Sequence, residues 1–168
     1  MLSIAFLVAA SSVADQMAPA KQGMVQCQSP DVLFKTCDSL SKVSQIGPDL
    51  YRIESEMLVD PDGPVVITEI STVSVQGIQV CDTVRLAEID QWDVKVAGVP
   101  TTAAQAARHR SRIKRQLAFL SGQSICTTVV PGEQNMHNVQ ATIGGRRVPA
   151  FDYAMKWVSP DEGWKVAP

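Results

Sequence analysis

The sequence predicts an α+β domain: an antiparallel β-sheet packed by one long helix and held by two disulfides. Three observations predict it. Segments from residue 50 onward alternate apolar and polar residues with period two, residues 102–121 carry an apolar stripe at helical spacing, and four cysteines stand in no C-x-x-C pair. The 168 residues, 45% of them apolar, suffice for one packed core. No apolar run approaches the roughly 20 residues of a membrane-spanning helix, so an integral helical membrane protein is not expected. The formal net charge of −2 argues against a general nucleic-acid binder.

The first fourteen residues, MLSIAFLVAASSVA, hold no charged side chain, and Ile4 to Ala10 is an unbroken apolar stretch. Ser12-Val13-Ala14 places small residues where a signal peptidase reads, so 1–14 is expected to be a signal peptide cut before Asp15. No Lys or Arg precedes the stretch. Residues 15–26 combine Pro and Gly without periodicity and read as a linker. The single disulfide-stabilised domain is then expected over 27–168.

Ser29-Pro30-Asp31 supplies an N-cap residue, a proline at the first helical position and an acid in the first turn, predicting a short helix through Val32, Leu33 and Phe34. Tyr51, Ile53, Ser55, Met57 and Val59 form one row of a strand, and Asp60-Pro61-Asp62-Gly63-Pro64 ends it in a turn. Val65–Ile70 continues, Gln76-Gly77 reads as a hairpin turn, and Val84–Ile89 and Trp92–Val96 carry on the β pattern. Thr102 and Gln105 fit a capping box, and Gly122 marks the stop. Between them Ala106, Ile113, Leu117 and Leu120 make the apolar stripe. Strand character returns around Cys126, at Val139–Ile143 and at Tyr153–Trp157.

An even cysteine count behind a leader points to two disulfides and an oxidising compartment, periplasmic or secreted. Three connectivities are possible. The pairing Cys27–Cys37 with Cys81–Cys126 is favoured, because the first is local and the second joins two strand-like segments. In the chain-entropy view the two contribute roughly 3 and about 4 kcal/mol.

Charge is unevenly distributed. Residues 54–93 hold nine acids against Arg85, whereas 94–168 hold ten bases against four acids. Five bases fall between Arg108 and Arg115, and Arg108, Arg112 and Arg115 are the candidate face for an anionic partner. The alternative is a solvated helix face neutralised in part by the acidic strands.

No catalytic pattern emerges. His109 and His137 are the two histidines, and neither accompanies a nucleophile elbow. A small hydrolase would have to use His137 with an acid such as Glu133. There is no G-x-G-x-x-G or P-loop, so no nucleotide cofactor is expected. Asp60, Asp62 and Glu69 resemble fragments of a calcium loop, but Pro61, Pro64 and the spacing break the pattern, and no metal is expected. Glu54 and Glu56 read as the outer face of a strand, and Trp157 and Trp164 as core residues or a ligand platform.

Cys27 and Cys37 around Ser29-Pro30-Asp31, Cys81 after the Gln76-Gly77 turn and Cys126 after the helix form a recognisable arrangement. Together with the ending Met155-Lys156-Trp157-Val158, Pro160, Gly163 and Val166, it is similar to small exported bacterial proteins of unknown function with four cysteines. The similarity spans residues 27–168. It implies compartment and fold, and no activity or site residue. The expected function is therefore that of a non-catalytic exported domain that binds a partner or serves a structural role.

Overall fold

The computed structural model describes residues 17–60, 63–133 and 135–167. The expected signal peptide, 1–14, lies outside the described residues. The strands are β1 (Val25–Gln28), β2 (Thr36–Cys37), β3 (Ser39–Gln45), β4 (Leu50–Asp60), β5 (Val65–Gln76), β6 (Gln79–Thr83) and β7 (Asp93–Val96). They continue with β8 (Val99–Pro100), β9 (Ser124–Pro131), β10 (Met136–Ile143), β11 (Arg146–Arg147), β12 (Tyr153–Val158) and β13 (Lys165–Val166). The helices are α1 (Ala18–Lys21) and α2 (Ala103–Leu117), the second prolonged by a 3-10 turn over Ala118–Leu120.

Eight strands close into an antiparallel barrel. Around the ring the order is β1, β3, β4, β5, β6, β9, β10, β12, which is also their order in the chain. The ring shuts where β12 pairs with β1, from Val25 opposite Val158 to Gln28 opposite Met155. Closure gives every strand of the ring a partner on both sides, the device by which all-β folds avoid edge-to-edge association. This corrects the expected α+β arrangement. Strands were anticipated on both sides of the helix, but closure depends on β6 with β9 and β12 with β1, pairings between distant segments that period-two alternation does not encode.

Helix α2 belongs to the long excursion 84–123 between β6 and β9. The Thr102 hydroxyl accepts from the Gln105 N–H while the Gln105 side chain accepts from the Thr102 N–H, completing the capping box. Ala106 and Ile113 bury against Val65 and Ile67 of β5, Val94 of β7 and Ile89 of the 3-10 turn Glu88–Gln91. The helix thus covers one stretch of barrel wall. Val84–Ile89, expected as strand, is irregular chain and a turn that run into that 3-10 segment. Strand β5 is shared: Val65–Thr68 pair with β7 and Ser74–Gln76 with β6.

One end of the barrel is plugged. Met17, Val43, Tyr51, Val73, Val139, Met155 and Trp157 form an apolar cluster there, with Ala20 of α1 and Met24 against it. Of the stretch expected as a linker, residues 17–26 are part of this structure: Met17 is 3% exposed and β1 begins at Val25. The opposite end carries the connections 29–38, 84–123 and 144–152. There the expected short helix at Val32–Phe34 is replaced by a tight turn. Asp31 Oδ1 accepts from the Leu33 and Phe34 N–H groups (2.9 and 3.1 Å), and the Asp31 and Thr36 backbones bridge. An aspartate that satisfies the local N–H groups with its own side chain competes with the helix it was expected to start.

The disulfides are Cys27–Cys37 and Cys81–Cys126. Cys27 and Cys37, the latter within the parallel pair β13–β2, sit with Val158 in a small cluster on the outer wall, under Trp164. Such bonds fit a non-cytoplasmic, oxidising compartment. No described helix is long and apolar enough to cross a membrane.

Candidate functional site

Alternation along each strand sends every second side chain into the barrel. Small and medium residues dominate that row: Val80 on β6, Thr127 and Val129 on β9, Val139 and Ala141 on β10. They do not fill the interior, and a cavity of about 650 Å³ remains. Its wall is drawn from both halves of the chain, including Gln26 and Gln28 of β1, Ile53 and Met57 of β4, and Tyr153 and Met155 of β12. Met17 lies at its plugged end, and Ser29, Asp38 and Ala150–Asp152 lie toward the open one.

Among the described residues four charged side chains line the cavity: Asp38, Glu69, Asp82 and Asp152. All are acidic, and no Lys, Arg or His is among the described lining residues. Their states differ with their partners. Asp152 receives hydrogen bonds from the Arg147 guanidinium and from the Ala141 N–H (3.0 Å), and the guanidinium holds its carboxyl below the ordinary range. Asp82 accepts from the Thr83 N–H at 2.6 Å and lies 3.8 Å from Arg85, yet burial outweighs both and raises its pKa. The Glu69 carboxyl makes no hydrogen bond or ion pair among the described residues. Burial first, then the charges of Asp82 and Glu88, push its carboxyl up to about 7. Glu69 and Asp82 also border a recess of about 130 Å³ toward Ile89 and Leu117, beside the place where β5 passes from β7 to β6.

A chamber of this kind, apolar over most of its wall and lit by a few polar groups, can enclose one small molecule and orient it. Eight strands give an interior just wide enough for side chains or a single small ligand. On the inner wall the buried Ser41 and Ser55 share a hydrogen bond of 2.8 Å, and Ser39 approaches Ser41 at 3.4 Å.

The residues singled out in the sequence fall elsewhere. Arg112 pairs with Asp60 (3.1 Å), Arg115 donates to Ser111 (2.9 Å), and the exposed Arg108 side chain makes no hydrogen bond or ion pair among the described residues. Arg110 donates to the Trp92 carbonyl, and Lys114 pairs with Asp90 at 2.6 Å. The basic helix face is therefore partly neutralised by acids of the preceding segment. His137 lies on β10 opposite Met155, and its buried Nδ1 has no hydrogen-bond partner among the described residues. Glu133 is exposed in the β9–β10 turn, and the structure shows no contact between the two. Glu54 and Glu56 pair outside the barrel with Arg52 and Lys95. Trp157 and Trp164 stand on opposite faces of the wall, one in the plug and one over the Cys27 cluster, so they form no common platform. Among the described residues no group of His, Cys, Asp or Glu is placed to hold a metal ion.

Sequence reasoning weighed Glu69 only as a fragment of a calcium loop and passed over Asp82. The signal was available: Val65, Ile67, Glu69, Ser71 and Val73 form one period-two row, and a carboxylate interrupts it at an inward position. Val80, Asp82 and Val84 repeat the interruption. No family model, curated protein or solved structure matches this chain.

Proposed function

We propose that this protein is a non-catalytic carrier that holds one small, mainly apolar molecule in the barrel lumen, in the periplasm or as a secreted protein. The observation that supports it is the unfilled interior of about 650 Å³, within the span of small-ligand pockets, roughly 300–1,000 Å³. A barrel serving only as a structural element would gain from filling that space, since each missing contact forfeits dispersion energy. The His137 Nδ1, buried without a hydrogen-bond partner among the described residues, gives no support to a hydrolase built on it.

Titration with an environment-sensitive apolar fluorophore such as N-phenylnaphthylamine tests the reading. One probe per chain is expected, displaced by small apolar compounds. Ala141→Phe, which places a ring in the lumen, and Ala150→Trp at its mouth are each expected to abolish the signal while the thermal transition persists. Absence of saturable binding, or binding unchanged in both variants, overturns the proposal.

A further inference from the structure

The lumen is more specific than its volume alone implies. Its charges are of one sign, and they are not equivalent. Asp152 is spoken for by Arg147 and the Ala141 N–H, and Asp82 holds the Thr83 N–H with Arg85 at the edge of ion-pair range. Asp38 has no side-chain donor among the described residues but is exposed at the mouth, so Glu69 is the one partly buried carboxylate of the chamber without a donor among the described residues. It stands on β5 between Ile67, which is buried against α2, and Val73, which is buried in the plug, so its carboxylate sits partway down an apolar wall. A carboxylate in such a place loses hydration and receives nothing in exchange, which is costly unless a partner supplies a charge or a donor.

We infer that the ligand's apolar body carries a protonated amine, seated against the Glu69 carboxylate with Asp82 as the second acidic neighbour. This rests on the reading of the lumen as a binding site. An ammonium provides up to three N–H donors and the missing positive charge, whereas an alkyl carboxylate meets two acids and no base. The apolar remainder occupies the wall formed by Ile53, Val80, Val129, Val139 and Met155. An acidic lumen thereby excludes free fatty acids and anionic lipids as well as selecting amines, since specificity is a difference of affinities.

A chain-matched series tests the inference: octylamine, octanol and octanoate, measured by calorimetry on the whole protein at about pH 8, where Glu69 is charged and the alkylamine still protonated. Octylamine is expected to bind roughly tenfold or more tightly than octanol, the range of one charge-assisted hydrogen bond, with octanoate weakest. Glu69→Gln keeps the shape of the wall and removes the charge. It is expected to erase the amine preference while octanol affinity stays within about twofold, and Asp82→Asn to reduce the preference in part. Equal binding of the three compounds, or an equal loss of octanol and octylamine in Glu69→Gln, overturns the inference and leaves the lumen reading standing. Failure of all three to bind overturns the lumen reading itself.

Discussion

Cys81 and Cys126 stand directly opposite each other on β6 and β9, their Cα atoms 4.0 Å apart and their sulfurs joined. Between them the chain leaves the barrel for the whole excursion 84–123. The bond therefore clamps a joint of the ring that no hairpin makes. Replacing both residues by alanine is expected to lower stability by about 3–4 kcal/mol, the range for a loop of this length. The Cys27–Cys37 pair closes a shorter ring, and its removal is expected to cost about 2–3 kcal/mol. Denaturant titrations of the two double variants check the order, and hydrogen exchange should place the first loss on β6 and β9.

Glu69 makes a pH prediction of definite sign. Its folded pKa, about 7, lies above its ordinary value of 4.5, so the folded state binds the proton more tightly than the unfolded one. Stability from this group is present below pH 4.5 and declines as pH rises toward 7, by on the order of 2 kcal/mol. The raised pKa of Asp82 acts in the same direction, while the lowered values of Asp152 and Glu162 act in the opposite one, at lower pH. The difference in unfolding free energy between the wild type and Glu69→Gln, followed across this window, isolates the Glu69 contribution. Wild type is expected to lose ground to the variant as pH increases.

The turn at the open end tests why a helix did not form there. Val32, Leu33 and Phe34 are 59%, 83% and 69% exposed, so Leu33→Ser and Phe34→Ser are expected to shift stability by no more than about 0.5 kcal/mol. Asp31→Ala removes the acceptor of two backbone N–H groups and is expected to cost about 1 kcal/mol. Urea midpoints of the three variants decide the matter.

Met17 seals the plugged end of the barrel. Truncation to alanine is expected to cost about 2–4 kcal/mol, from lost burial and the void left among Val43, Tyr51 and Trp157. Thermal or denaturant unfolding measures it.

Local structure was legible wherever short-range chemistry decides it. The capping box at Thr102, the period-two rows of β4 and β5, and the Gln76-Gly77 hairpin are all visible in the sequence because their partners lie within a few residues. Gly77 shows the rule plainly, at φ +63°. Barrel closure was illegible because Val25 and Val158 meet only after every intervening strand is in place. The site was half legible: Glu69 interrupts an apolar row, but whether a row faces a core, a lumen or solvent is settled by the opposite wall. Met17 and Met24 were unreadable for the same reason, since their apolar surroundings come from β3, β4, β10 and β12.

Because order around the ring repeats order along the chain, folding can proceed largely by zipping neighbours, each closing a short loop at small entropic cost. Two joints break this rule, β6 to β9 and β12 to β1. They demand that the chain search over long separations, and long-range pairing is the slow step of β folding. The expected nucleus is thus the β3–β6 meander, and the last event is the meeting of the two terminal strands. Until that moment the future chamber is an open trough.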